Sequence, residues 1–229
     1  MAKTPASPWV LPEGFTLTQD ADGAFTLTVA EKITVDCGNS SVTMINNGDV
    51  WVTSDSGCVF VATNSGDATV TTDNGRAFVR TKIGDVKVTT DSGDVKVTTE
   101  SGDAEVTTIS GGAEVKTDNG AVEVRTDSGD VEVKTSSGAT KVVASSGNVE
   151  VTNYYGDVQI ATESGNAKVT TDSGAAQVFT KSGNAEVVAN NGDVKVTAYS
   201  GITTVFGGGY VAVFSTGRLA TVAAAQKAA

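Results

Sequence analysis

The side chains that could do chemistry in this chain are almost all carboxylates. Histidine is absent from the 229 residues, which removes every Ser-His, Cys-His and His-metal arrangement at once. The acids that remain are periodic. Asp49, Asp67, Asp85 and Asp103 recur every eighteen residues, as do Asp55, Asp73 and Asp91. If the chain winds with that period, each set stacks into a ladder with rungs about 5 Å apart, where like charges repel unless something sits between them. Hard oxygen ligands suit Ca²⁺, so Asp49, Asp67, Asp85 and Asp103 are the candidate metal ligands, against the plainer reading of solvated turn acids that confer solubility. Glu105 and Glu123, also eighteen apart, could in principle serve as acid and base. Catalysis needs concavity to exclude water and shift a pKa, and nothing is inserted between the repeats to build it. No catalytic residue, no cofactor-binding residue and no enzyme activity are therefore expected. Cys37 and Cys58, twenty-one apart, set no disulfide framework and read as free thiols.

The elements that must hold these residues are dictated by glycine. Gly recurs at a spacing of nine from Gly48 to Gly201, eighteen times without a slip. With each Gly as position 0, position +4 is Val in seventeen units and Ile160 in the other, while +2 is Val, Ala or Thr throughout. Position +6 is Thr without a break from Thr63 to Thr135. Small or β-branched residues at +2, +4 and +6 alternate with Lys, Glu, Arg and Thr, the period-two pattern of a strand with one buried face. Ser-Gly or Asn-Gly then supplies a corner, where Gly takes a positive φ that a Cβ would resist.

Such a unit could form an antiparallel meander or a solenoid with two units per coil. The +2 row decides between them: Val50 and Val59, Ala68 and Ala77, Val86 and Val95, Ala104 and Ala113, Val122 and Val131 change size in pairs. Matched residues facing one another across a core explain the pairing, and large and small layers can interlock along the axis. The expected fold is all-β: a single-stranded, two-sheet β-solenoid (β-helix or β-roll) of nonapeptide repeats, eighteen residues per coil and about nine coils. At about 4.8 Å per coil the rod is about 43 Å long. Inward Thr at +6 can bond to corner backbone or to the next Thr in its stack.

Three segments follow. Residues 1–45 are an N-terminal arm, hairpin and cap serving as the attachment segment; residues 46–207 are the rod; residues 208–229 are a C-terminal cap strand and Ala-rich tail. Pro5, Pro8 and Pro12 mark the arm. The hairpin joins Phe15–Thr18 to Phe25–Thr28, Lys32–Val35 is extended, and Gly38 opens a coil one residue too long. Tyr210–Phe214 forms a last strand and Ala223–Ala229 is frayed. Capped ends oppose unlimited end-to-end polymerisation. Trp51, Phe60 and Phe78 stand at outward position +3, where later units carry Lys and Glu. Phe60 and Phe78 share one face and Trp51 lies on the other. Exposed rings grouped at one end call for a cover, either residues 1–45 folding back or a subunit or partner, and these three are the candidate interface residues.

The net charge of −11 argues against nucleic acid or an anionic membrane as partner. No stretch approaches the roughly 18 apolar residues of a membrane span. The opening MAKTPASPWVLPEGF lacks the basic start and apolar run of a secretory signal.

The run Gly84-Asp85-Val86-Lys87-Val88-Thr89-Thr90 and its neighbours resemble the SGDVxVxT repeats of the bacterial putative-adhesin repeat family over about residues 46–207. Similarity to the calcium-binding repeats of the repeats-in-toxin family, whose motif is GGxGxDxUx, is in length alone; Asp-Ser-Gly-Asp lacks the second glycine, so that family's calcium site is not carried over. The layout of arm, hairpin, rod and cap is similar to phage fibres and spikes. Bactofilins, cytoskeletal solenoid filaments, are a looser match. The resemblances imply a virion fibre, spike or decoration protein attached by its N-terminal end to a capsid or tail component. An adhesin-like bacterial surface module is the alternative, and a cytoskeletal filament trails both. The location implied is a virion, or the cell surface or extracellular space by a signal-independent route, with a homo-oligomer compatible with either.

Overall fold

The computed structural model describes residues 16–19, 25–29 and 33–224. Among these residues every regular element is a strand, twenty-four in all. From the second strand on, odd and even strands segregate into two sheets. One has thirteen strands and the other eleven, and apart from the first two strands, which pair with each other, the neighbours within each are two apart in sequence. That order is a solenoid, since a meander would pair consecutive strands. The expected all-β two-sheet solenoid is what forms, with about ten turns.

The register is the eighteen-residue period. Val95 pairs with Ala113 and Ala113 with Val131; on the other sheet Ala104 pairs with Val122 and Val122 with Thr140, all in parallel ladders. Inward rows are buried as the alternation requires. Val97, Val106, Val124 and Val133 are completely covered, and the +2 Val and Ala join them in one continuous core. Each such valine contributes roughly 1.5–3 kcal/mol on leaving water. Among the residues whose burial is described, no buried side chain is larger than Met44 or Ile160, so the sheets lie close and the core is thin. The +6 threonines bury their methyls there, and hydroxyl partners vary. Thr81 Oγ1 lies 3.2 Å from the Gly84 carbonyl and 3.1 Å from Thr99 Oγ1, whereas Thr90, Thr108 and Thr117 reach no hydrogen-bond partner in the protein.

Corners are where the glycine spacing acts. Gly111 has φ +152°, and a Cβ placed on it would sit 2.3 Å from the carbonyl oxygen of Gly93, eighteen residues earlier. Gly75 lies outside the left-handed region, yet its Cβ would come within 2.0 Å of the Gly57 carbonyl. Positive φ is thus a common feature of the corners, but the shared cause is the close approach of stacked backbones. The Gly N–H completes the layer, as when Gly111 donates to the Ser128 carbonyl at 2.9 Å.

The coils continue beyond the nonapeptide spelling at both ends. Strand β1 (Thr16–Gln19) pairs antiparallel with β2 (Phe25–Val29), the expected hairpin. Strand β2 then pairs parallel with β4 (Val42–Asn46), and β3 (Ile33–Asp36) with β5 (Val50–Ser54), both at an offset of seventeen. These first coils are one residue short, where Gly38 suggested one residue long. The residue stacked against Gly57 is Ser40, so Gly38 is not the corner glycine. At the other end β23 (Val211–Ser215) and β24 (Arg218–Ala224) extend the two sheets by pairing with β21 (Val194–Ala198) and β22 (Ile202–Gly207). Ala223 and Ala224 therefore belong to a strand. No described strand covers the outer edges of β23 and β24, so the C-terminal end is not closed by the described residues. The proline arm and residues 225–229 lie outside the described residues.

Adjacent glycines separate spacing from composition. Gly111→Ala should lower unfolding free energy by at least about 3 kcal/mol, from clash plus backbone strain. Gly112→Ala, whose Cβ would meet nothing closer than 3.4 Å, should be neutral or stabilising by up to about 1 kcal/mol. Denaturant titration of the two variants checks this; equal losses would remove the close approach as the cause of the period.

Candidate functional site

The acid ladder is built into the corners. Asp49, Asp67, Asp85 and Asp103 stand at +1, where the chain leaves the corner and its N–H lies beyond the regular sheet ladder. Each carboxylate accepts the N–H of the residue one coil on. Asp67 donates to Asp49 Oδ1 at 3.1 Å, Asp85 to Asp67 at 2.9 Å, Asp103 to Asp85 at 2.8 Å and Ala121 to Asp103 at 2.8 Å. The opposite edge repeats the device with Asp94, Asp130 and then Asn148, Asn166 and Asn184, whose Oδ1 atoms accept from Gly112, Asn148, Asn166, Asn184 and Ile202. What sits between successive rungs is a backbone N–H. Asn serves equally well, because the requirement is an acceptor oxygen and not a charge. No group of three or more His, Cys, Asp or Glu among the described residues is arranged to hold a metal ion.

Outward residues on the sheet faces pair along the axis. Lys87 Nζ lies 2.9 Å from both oxygens of Glu105, and Lys96 bonds Glu114 at 2.7 Å. Glu123 takes Arg125 at 2.6 Å and Lys141 from the next coil at 3.2 Å. Glu105 and Glu123 are neighbours in the same ladder, yet each carboxylate is held by cations of its own. Hydrogen bonds from Arg125 and then Lys141 pull the Glu123 carboxyl below the usual glutamate range. An acid so held is a poor proton donor near neutral pH. The hollows along the outer faces are open; one runs past Phe78, Lys96, Glu114, Glu132 and Glu150.

Cys37 and Cys58 are both free. Cys37 donates its thiol to the Thr53 carbonyl at 3.1 Å, and burial pushes its pKa up, away from the reactive thiolate.

The three rings fall where position +3 puts them. Phe60 and Phe78 are directly paired on the outer face of the thirteen-stranded sheet, 41% and 36% exposed. Trp51 lies half-buried on the eleven-stranded sheet between Thr34 and Thr69. The described strands of the N-terminal segment stack below these rings along the axis, and Phe60 and Phe78 keep an open outer surface. A second aromatic group escaped the sequence reading. Phe179, Tyr199 and Phe214 form an edge-to-face ladder, with centroid separations of 5.8 and 6.1 Å. Phe214 follows Gly207-Gly208-Gly209, where a seventeen-residue offset replaces eighteen, so the spelling of the repeat no longer reveals its phase.

Residues 28–205 match the family model described as Toastrack DUF4097. The chain belongs to the Toastrack DUF4097 family. No curated protein and no solved structure matches it. The Toastrack segment begins within β2 and ends within β22, so it covers both short first coils as well as the regular repeat. The chain is a β-solenoid repeat protein.

Two measurements probe these contacts. Asp103→Ala leaves the Ala121 N–H without its acceptor and should cost about 1 kcal/mol, while Asp103→Asn should cost much less. Thermal denaturation with Ca²⁺ or with chelator should leave the native midpoint unmoved; a clear rise with Ca²⁺ that both variants lose would return the ladder to metal binding. The pH dependence follows from Glu123. Its folded pKa is depressed below the unfolded value, so its stabilisation is fully present above the ordinary carboxylate range and is lost as pH falls through the folded pKa. The acid limb of the stability curve should therefore be less steep in Glu123→Gln than in the native chain, whereas stability at pH 8 changes little because the pairs are exposed.

Proposed function

We propose that this protein is a non-enzymatic structural rod, a stiff spacer attached at its N-terminal end, of the kind used as a virion fibre, spike or decoration protein. The observation that carries the reading is the unbroken register. From Val50 to Ala198 each strand pairs with the one a full eighteen residues on, without an inserted loop or a bulge. Loops between coils are what would build a cleft for chemistry. Side chains on the outer faces pair with one another along the axis, which leaves them stabilising the rod. Trp51, Phe60 and Phe78 gather in the coils next to the N-terminal hairpin, and rings of this type form the cores of protein interfaces. The partner fitting this reading is a capsid or tail component.

One observation favours an adhesin-like surface module instead. The Phe179, Tyr199 and Phe214 ladder displays rings on the side of the rod far from the hairpin, with Tyr199 and Phe214 about half exposed. Such a row suits a ligand lying along the shaft.

Two deletions separate these readings. Removing residues 1–29 should abolish incorporation into particles purified from the source while retaining the β signal in circular dichroism. Removing residues 103–120 takes out one coil and should shorten the rod by about 4.8 Å with incorporation intact. If the coil deletion or Phe179→Ser stops binding while the truncation does not, the shaft is the working surface.

A further inference from the structure

The C-terminal end of the rod is a step. The thirteen-stranded sheet runs on to β24, whereas the eleven-stranded sheet stops one strand earlier, at β23. Three inward-register residues there lack the cover their counterparts have. Val222 pairs with Val205, which is completely buried, yet Val222 is 46% exposed because no described strand faces it. Val211 and Val213 pair with Val194 and Val196, each 1% exposed, but are themselves only partly buried. The core is open at this end.

The backbone edge is open too. In a parallel ladder the direction of N–H and C=O alternates from residue to residue. Val194 donates its N–H to the Tyr210 carbonyl at 2.8 Å, so Tyr210, Ala212 and Phe214 face β21. Val211, Val213 and Ser215 therefore turn N–H and C=O outward. An exposed edge over an exposed apolar floor is a template for one more strand.

We propose that the occupant is the same end of a second copy, joined tail to tail about a two-fold axis. A coil of two strands closes only if the second runs back against the first, so β24 runs opposite to β23. Half a turn about an axis parallel to the strands reverses the rod, exchanges the sheets and keeps strand direction. It carries the second copy's β24 onto the free edge of β23, antiparallel, and the second copy's β23 onto the free edge of β24. The step on each copy fills the notch on the other, both edges gain hydrogen bonds, and Val211, Val213 and Val222 are covered. The interface uses one patch twice and closes on itself, so growth stops at two.

Sedimentation velocity on the full chain tests the proposal. From about 5 to 500 μM the native protein should shift from its 23.1 kDa monomer toward twice that mass. Val222→Lys leaves the ammonium in water in the monomer but buries it in the dimer, so the variant should keep its circular dichroism spectrum and remain monomeric throughout. Val213→Pro removes one outward N–H without touching the bonds to β21 and should weaken dimerisation at least tenfold. A native chain that stays monomeric overturns the proposal. So does a dimer that survives Val222→Lys, which would place the interface elsewhere. A monomer that dimerises only after removal of residues 225–229 overturns it as well, by showing that those residues occupy the edge. None of these readings depends on whether the N-terminal end attaches to a particle.

Discussion

Where two corners stack, there is no room for a Cβ. The carbonyl of one glycine lies so close above the next that any side chain would overlap it, and almost everything else in the molecule follows. Glycine must recur at each corner, and with one corner per strand the spacing becomes nine and the coil eighteen. A constant coil keeps the ladders in register, which holds offsets +2, +4 and +6 from the glycine on the inside. The alternation of Val, Ala and Thr with Lys, Glu and Arg is then obligatory, because a slip of one residue would turn the whole inward row to water. Left-handed backbone is a secondary adjustment; Gly75 does without it.

Much of this was legible before any coordinates. The glycine spacing and the paired sizes at +2, such as Ala68 with Ala77 and Val86 with Val95, identify a two-sheet solenoid because both are properties of backbone and volume. The ends were less legible for the same reason. Ser40 occupies the corner that Gly38 advertises, and Gly217, the corner glycine before β24, stacks on Gly201 at an offset of sixteen and so falls outside the regular series. The Asp ladder was found, but its purpose was hidden, since each carboxylate serves an N–H in the following coil and nothing in the local spelling names that partner. The natural replacement of Asp by Asn at 148, 166 and 184 was the available clue, because an anion-dependent role would not tolerate it. Phe214 joins Phe179 and Tyr199 only through the shortened final coil, and a one-residue change in offset is invisible once the repeat has lost its glycine markers.

The charge pattern complements the corners. Net charge is strongly negative, yet Lys87 with Glu105, Lys96 with Glu114 and Lys168 with Glu150 bridge successive coils. Each pair is exposed and weak alone. Their common direction matters more than their individual strength, since each links one layer to the next on a surface where unpaired acids would push the layers apart.

Because the ladder hydrogen bonds point along the axis, a force pulling the two ends apart is carried by the layers in series. The tensile limit of the shaft is set by its weakest junction and does not rise with length. That junction can be located. Gly112 and Ala121 stand at the two +1 positions of one coil, and they are the one consecutive pair between Asp49 and Ile202 in which neither residue is Asp or Asn. Neither offers a side-chain oxygen to Asp130 or Ala139 above, so both corners of that layer rely on backbone bonds. Under load the rod should part near its middle, with both halves still wound and both ends still held.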